Sequence, residues 1–202
     1  PVKMSFLKPE GTLGKGLLPT GKASEILDVP EYGKIEASII DAANPLVFVN
    51  AGDLELSGTK LEENREMLDL LERIRAAAAV RLGLIEDYRS SSWASPGIPK
   101  MTLVAEAKDY TASDGSRILK KDIDILGRMM SMQKPHPTYA LTGAMCTAAA
   151  AAVPGSVVSR LLPAHVTLRT LRIGHPGGIL KVGIDYGMEE NKIVIYSTSG
   201  NR

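Results

Sequence analysis

The stretch "LTGAMCTAAAAAVPG", residues 141–155, constrains the fold more than any other part of the chain. It carries no charge, and after Leu141 nothing in it is larger than methionine. Alanine is the best helix former and Pro154-Gly155 is a stop signal, so the pattern predicts a helix over about 142–153. A helix that is apolar all round is buried on every side. Its small side chains let the surrounding backbone come close. The remainder of the chain must therefore wrap around it, and a curved sheet is the architecture that does so.

The rest of the sequence supplies such a sheet. Val2, Met4 and Phe6 alternate with Lys3 and Ser5, the pattern of a half-buried strand. Residues 33–54 hold two strands: Ile35, Ala37 and Ile39 share one face of the first, and 46–49 is a short apolar run. The turn "DAANP" joins them, and Pro45 holds Asn44 extended. Residues 101–104 read as another strand, and 179–197 as a hairpin in which Leu180, Val182, Ile184 and Tyr186 answer Ile193 and Ile195. Residues 60–84 form an amphipathic helix. Its apolar face carries Leu61, Met67, Leu68, Leu71, Ile74, Ala78 and Leu82; Glu62 and Glu63 are among the charges opposite. "KKDIDILGRMMSMQ" (120–133) reads as a further helix, and 9–24 and 86–100 as connections. The expected class is α+β.

Composition narrows the function. At 202 residues and 44% hydrophobic, the chain can bury a sizeable core. A net charge of +1 with 4% aromatics leaves no basic stripe for nucleic acid. No apolar run reaches the roughly 18 residues of a membrane span, and no signal peptide is visible. One cysteine cannot make an internal disulfide, so a cytoplasmic location is expected. The chain opens on Pro1 already in a strand pattern, which is the expectation for a truncated sequence. His136, His165 and His175 have no metal-ligand spacing; "PTGK" (19–22) lacks the P-loop frame, and "GHPGG" is no dinucleotide fingerprint. No metal or other cofactor is expected.

Two readings of the alanine helix start stand side by side. Its first amides, freed of obstruction by Gly143, form an anion seat; or Thr142 and water cap it in the ordinary way. Cys146, in the second turn among alanines, reads as an inert packing residue. His136 and His175 each precede a proline in a loop, where either is a surface residue or part of a site. His165 sits at a strand start with nothing to suggest a role. Asn44 either caps its turn or offers a donor and an acceptor to a ligand.

Five segments carry a family resemblance: residues 14–54, "RAAAAVRLGLI", "DYTASDG", "RMMSMQKPHPTYALTGA" and "RIGHPGGIL". In this order they are similar to PrpF-type proteins, a family that includes 2-methylaconitate cis–trans isomerase and methylitaconate isomerase. The resemblance implies half of a diaminopimelate-epimerase-like fold, with a curved mixed or antiparallel sheet around a central buried helix. Residues 1–190 would be the C-terminal domain, and the tail strand within 191–202 would return to an N-terminal half absent here.

The implied reaction is a cofactor-independent proton shift or cis–trans isomerisation of an unsaturated di- or tricarboxylate. "DAANP" resembles the epimerases' "GNP" turn, so Asn44 would orient a carboxylate. "LTGA" resembles their "CGTGA" helix start, so the Thr142, Gly143 and Ala144 amides would hold developing charge, and the epimerase thiol position falls on Ala140. Ser131, Lys134 and His136 would flank the mouth; His175, Gly177 and Gly178 would close it. The family's acid–base pair, a lysine and a cysteine, belongs to the first half. This chain therefore holds no catalytic residue and is expected to be inactive alone. Its expected partners are a small unsaturated carboxylate, the absent half, and a second copy in a homodimer. The alternatives are a carboxylate-binding half-domain without catalysis, an amino-acid epimerase of the same fold, and a structural fragment without ligand.

Overall fold

A computed structural model describes residues 2–60, 64–163 and 168–201. Leu61, Glu62, Glu63 and His165 lie outside the described residues. The strands are β1 (Lys3–Leu7), β2 (Glu25–Val29), β3 (Gly33–Ala42), β4 (Asn44–Asn50), β5 (Lys100–Glu106), β6 (Tyr110–Thr111), β7 (Arg117–Ile118), β8 (Ile125–Ser131), β9 (Lys134–Pro135), β10 (Thr170–His175), β11 (Gly178–Glu189) and β12 (Lys192–Asn201). The helices are α1 (Arg65–Arg81), α2 (Ser91–Ala94), α3 (Leu141–Ala152) and α4 (Val157–Arg160). One mixed sheet runs β1-β12-β11-β10-β8-β5-β4-β3-β2, with β9 attached to β8; β6 and β7 pair separately.

The α+β architecture is the expected one, a curved sheet around the alanine helix. α3 packs against β3, β4, β10, β11 and β12, so strands from both ends of the sheet reach it. Ala144, Ala148, Ala149 and Ala150 have no exposed surface. The inner core of Ile40, Leu46, Phe48, Met129, Leu171, Ile173, Val182 and Ile195 closes on this helix. The opposite face of the sheet carries Ile35, Ala37, Ile39, Val47, Val49 and Leu103, covered by Leu71, Ile74 and Ala78 of α1 and by Leu82 just after it. Because both faces are covered, the central strands are apolar in succession rather than alternating.

That explains why one expected helix is a strand. Residues 120–133 are not a helix: a 3₁₀ turn at Lys120–Asp122 leads into β8. Ile125 and Met129 face α3, while Leu126 and Met130 face the α1 side. A run buried on both faces has no period to separate strand from helix. Pairing with β5 and β10 decides it, over the helix preference of leucine and methionine.

α1 begins later than expected. The side chain of Asn64 accepts from the Met67 amide at 2.8 Å, capping the helix. The connection 86–100 contains α2 and is clamped by the buried Arg75, which donates to the carbonyls of Ser91, Ser95 and Ile98 and pairs with Glu72. The strand Lys192–Asn201 pairs with β11 and β1 of this same chain.

Candidate functional site

The register places several strand ends together. β4, β5 and β11 begin, and β8, β10 and β12 finish, at the end of the sheet where α3 starts. On the α3 face of this end, side-chain alternation can be followed outward from the core. In β4 the inner-face residues Phe48 and Leu46 lead to Asn44. In β8, Ile125 and Met129 lead to Ser131, and in β5 Val104 and Thr102 lead to Lys100. Lys100 Nζ lies 3.5 Å from Ser131 Oγ. Burial, and then the charge of Arg75, hold the Lys100 ammonium below the ordinary lysine value. Lys100 was not among the residues singled out from the sequence. Only the start of β5 beside Ser131 marks it, and its position in "GIPK" carries no motif.

Asn44 follows Ala43, whose φ of 61° makes the tight turn between β3 and β4. Its Oδ1 is buried without a hydrogen-bond partner. Such an atom in a native protein calls for an explanation. Asn44 therefore does not spend its oxygen on capping the turn.

The start of α3 is open as well. Ala140 is the cap residue and makes no side-chain hydrogen bond; Thr142 lies inside the first turn and is not the cap. The Ala144 amide is already committed to the Ala140 carbonyl at 2.9 Å. The amides with no intrahelical acceptor are therefore those of Leu141, Thr142 and Gly143, one residue earlier than the set expected. Gly143 has a packing reason of its own. A Cβ there would fall 2.1 Å from Met129 Cε, so the glycine seats the helix on β8.

Beside this helix start is a cavity of about 500 Å³, lined by His136, Tyr139, Ala140, Thr142, His175 and Asn201 among others. His175 is buried at its edge, and its Nδ1 accepts from the Gly177 amide at 3.1 Å. Burial, followed by the charges of Arg128 and His136, pushes its pKa down to about 4, so the ring is neutral at physiological pH. Tyr139 is anchored through Thr147, whose hydroxyl donates to the Gly143 carbonyl. Gly177 and Gly178 shape the His175 hairpin: a Cβ at Gly177 would meet Thr138 at 2.9 Å, and the Gly178 carbonyl accepts from Tyr110. Neither lines the cavity. Lys134 is exposed on the β8–β9 hairpin and does not line it either.

Cys146 has no exposed surface and donates to the Ile40 carbonyl at 3.3 Å. Burial drives its thiol far above the ordinary range, which makes it inert. Ala140, in contrast, lies on the cavity wall at the helix start. Among the described residues, no three His, Cys, Asp or Glu side chains converge as a metal site would require, and no helix is long and apolar enough to cross a membrane.

A curved sheet around a buried helix, with polar groups at the helix start, defines a diaminopimelate-epimerase-like fold. A hydroxyproline epimerase from Agrobacterium vitis shares the fold, with a TM-score of 0.52 at 12% identity over 97% of this chain and 47% of that one. Residues 1–199 match the PrpF protein family, and the chain belongs to it. The 3-methylitaconate isomerase of Eubacterium barkeri is 37% identical over 187 residues, 90% of this chain and 49% of that protein. The 2-methyl-aconitate isomerase of Shewanella oneidensis is 34% identical over 197 residues, 94% of this chain and 49% of that protein. A crystal structure of methylitaconate-delta-isomerase superposes with a TM-score of 0.88 at 32% identity, over 98% of this chain and 52% of that one. The chain thus spans about half the length of the relatives it matches.

Proposed function

We propose that this chain is the carboxylate-seating half of a cofactor-independent isomerase acting on an unsaturated di- or tricarboxylate of the methylitaconate or 2-methylaconitate kind. One observation carries the reading. Asn44 with its unpartnered Oδ1, the Lys100–Ser131 pair and the open Leu141–Gly143 amides lie at the same end of the sheet, although Asn44, Lys100 and Ser131 do not line the cavity beside the helix start. The Lys100 ammonium and the helix-start amides are donors for negative charge, and the Asn44 Oδ1 is an acceptor that suits a protonated carboxyl or hydroxyl of the ligand.

In the reaction a base removes an allylic proton, and negative charge spreads into the adjoining carboxylate. The helix-start amides hold that charge without reorganising, Lys100 balances it and Asn44 orients the carboxylate. The site has no exposed thiol, and its buried His175 is held neutral. The acid and base come from a second segment that packs over this mouth, and the chain alone turns nothing over. It works in the reducing cytoplasm, where its single thiol is stable.

The test has two parts. Titrating the ¹⁵N-labelled chain with tricarballylate, a saturated tricarboxylate, should move the amides of 141–143 and the Asn44 side-chain amide together. Perturbations that avoid both would remove the seat from the proposal. Incubating substrate with the chain in D₂O should give no deuterium incorporation until the complementary half of a PrpF relative is added. Incorporation by the chain alone would show that the acid–base pair lies within it.

A further inference from the structure

The same end of the sheet carries a second cavity on its opposite face, of about 480 Å³, lined by Arg128, Lys60, Thr59, Ser113 and His136 among others. Arg128 alternates with Gly127 and Met129, which face α3, and so points to the outer side, where its guanidinium lies over the Tyr110 ring at 4.9 Å. Only 2% of the residue is exposed. Nη1 donates to the carbonyls of Gly127 and Gly174, and Nη2 to that of Thr59. All these acceptors are neutral. Among the described residues no carboxylate pairs with Arg128, and its Nε–H has no acceptor.

Two other arginines in the protein show what that edge is for. Arg75 turns Nε and Nη2 onto Glu72, and Arg172 turns the same two atoms onto Asp124. Arg128 alone of these three keeps a buried guanidinium without an anion, although burying an unpaired charge is costly. The cavity it lines adds a second cation, Lys60, and among the described residues has no acidic side chain in its wall.

We propose that this cavity is a second oxyanion site, separated from the helix start by the sheet, which takes a carboxylate or phosphate group on Arg128 Nε–H and Lys60. It is independent of the seat described above. The two sites share one wall residue, His136, which lines both cavities.

The Arg128 Nε–H resonance of the full ¹⁵N-labelled chain reports on the site directly. It would be followed during titration with citrate in one series and orthophosphate in another. A saturable shift is expected in at least one series. Citrate alone would assign a polycarboxylate and orthophosphate alone a phosphate group. Lys60→Glu reverses an exposed charge and should weaken the response about fivefold; Asn44→Ala, in the other site, should leave it unchanged. A resonance that does not move with either anion overturns the proposal. So does equal affinity in Lys60→Glu, or a shift that disappears in Asn44→Ala and is therefore relayed from the helix start.

Discussion

At the residue scale, Cys146 and His175 show how burial sets chemistry. The Cys146 thiol fills space against the Ile40 carbonyl. Cys146→Ala should cost about 1 kcal/mol of stability, the value of a small buried group and a weak hydrogen bond, and leave tricarballylate affinity unchanged; urea unfolding and calorimetric titration check the two halves. His175 is held at about 4, below its unfolded value of 6.5. Between those values the unfolded chain binds a proton that the folded chain refuses, so stability falls as pH drops from about 6.5 to about 4 and levels off below. The loss should amount to about 3 kcal/mol. His175→Gln should flatten this part of a stability–pH profile measured by urea unfolding. Lys100→Met keeps the aliphatic stem and removes the charge. It should weaken tricarballylate binding about tenfold in calorimetry, the value of one charge-assisted hydrogen bond, with little change in melting temperature.

At the scale of the element, α3 is a helix whose start is left uncapped. Ala140 has the extended backbone of a cap residue (φ −63°, ψ 133°) but no side chain to do the capping. Ala140→Asp should supply one. It should raise stability by about 1 kcal/mol by capping the open amides. It should also abolish tricarballylate binding, because the new carboxylate occupies the seat. Higher thermal stability with undiminished binding would place the ligand elsewhere. Further along, the alanines are a packing requirement. Ala149 has no exposed surface, so Ala149→Leu should overpack the core and destabilise it by about 1–3 kcal/mol in urea unfolding.

At the scale of the whole molecule, the two ends of the chain meet at one edge of the sheet. β1 pairs with β12 from Lys3↔Asn201 to Leu7↔Ser197, so the first described strand covers the edge of the last. Removing residues 1–8 should expose the β12 edge and strip Phe6 from the inner core. A melting temperature lower by several degrees is expected, together with concentration-dependent association visible by light scattering.

The sequence by itself determined the elements whose patterns are local. An uncharged alanine run can only be a buried helix. Alternation specified the last hairpin, and period 3.6 specified α1. The helix start and the Asn44 turn were legible as site candidates because glycine, proline and the lack of charge are local signals. Tertiary structure alone decided the rest. β8 became a strand because neighbours on both sides took its hydrogen bonds, and burial on both faces erases the periodicity that sequence reading depends on. Lys100 reaches this end of the sheet because parallel pairing of β4 with β5 brings residues more than fifty positions apart to one edge. The open amides fell one residue earlier than expected because the cap is Ala140, a residue whose role comes from its backbone angles and not from its side chain. Arg128 was not singled out from the sequence; the fold buries it and, among the described residues, pairs it with no carboxylate. These are long-range facts, and no local pattern encodes which partner a buried group will meet.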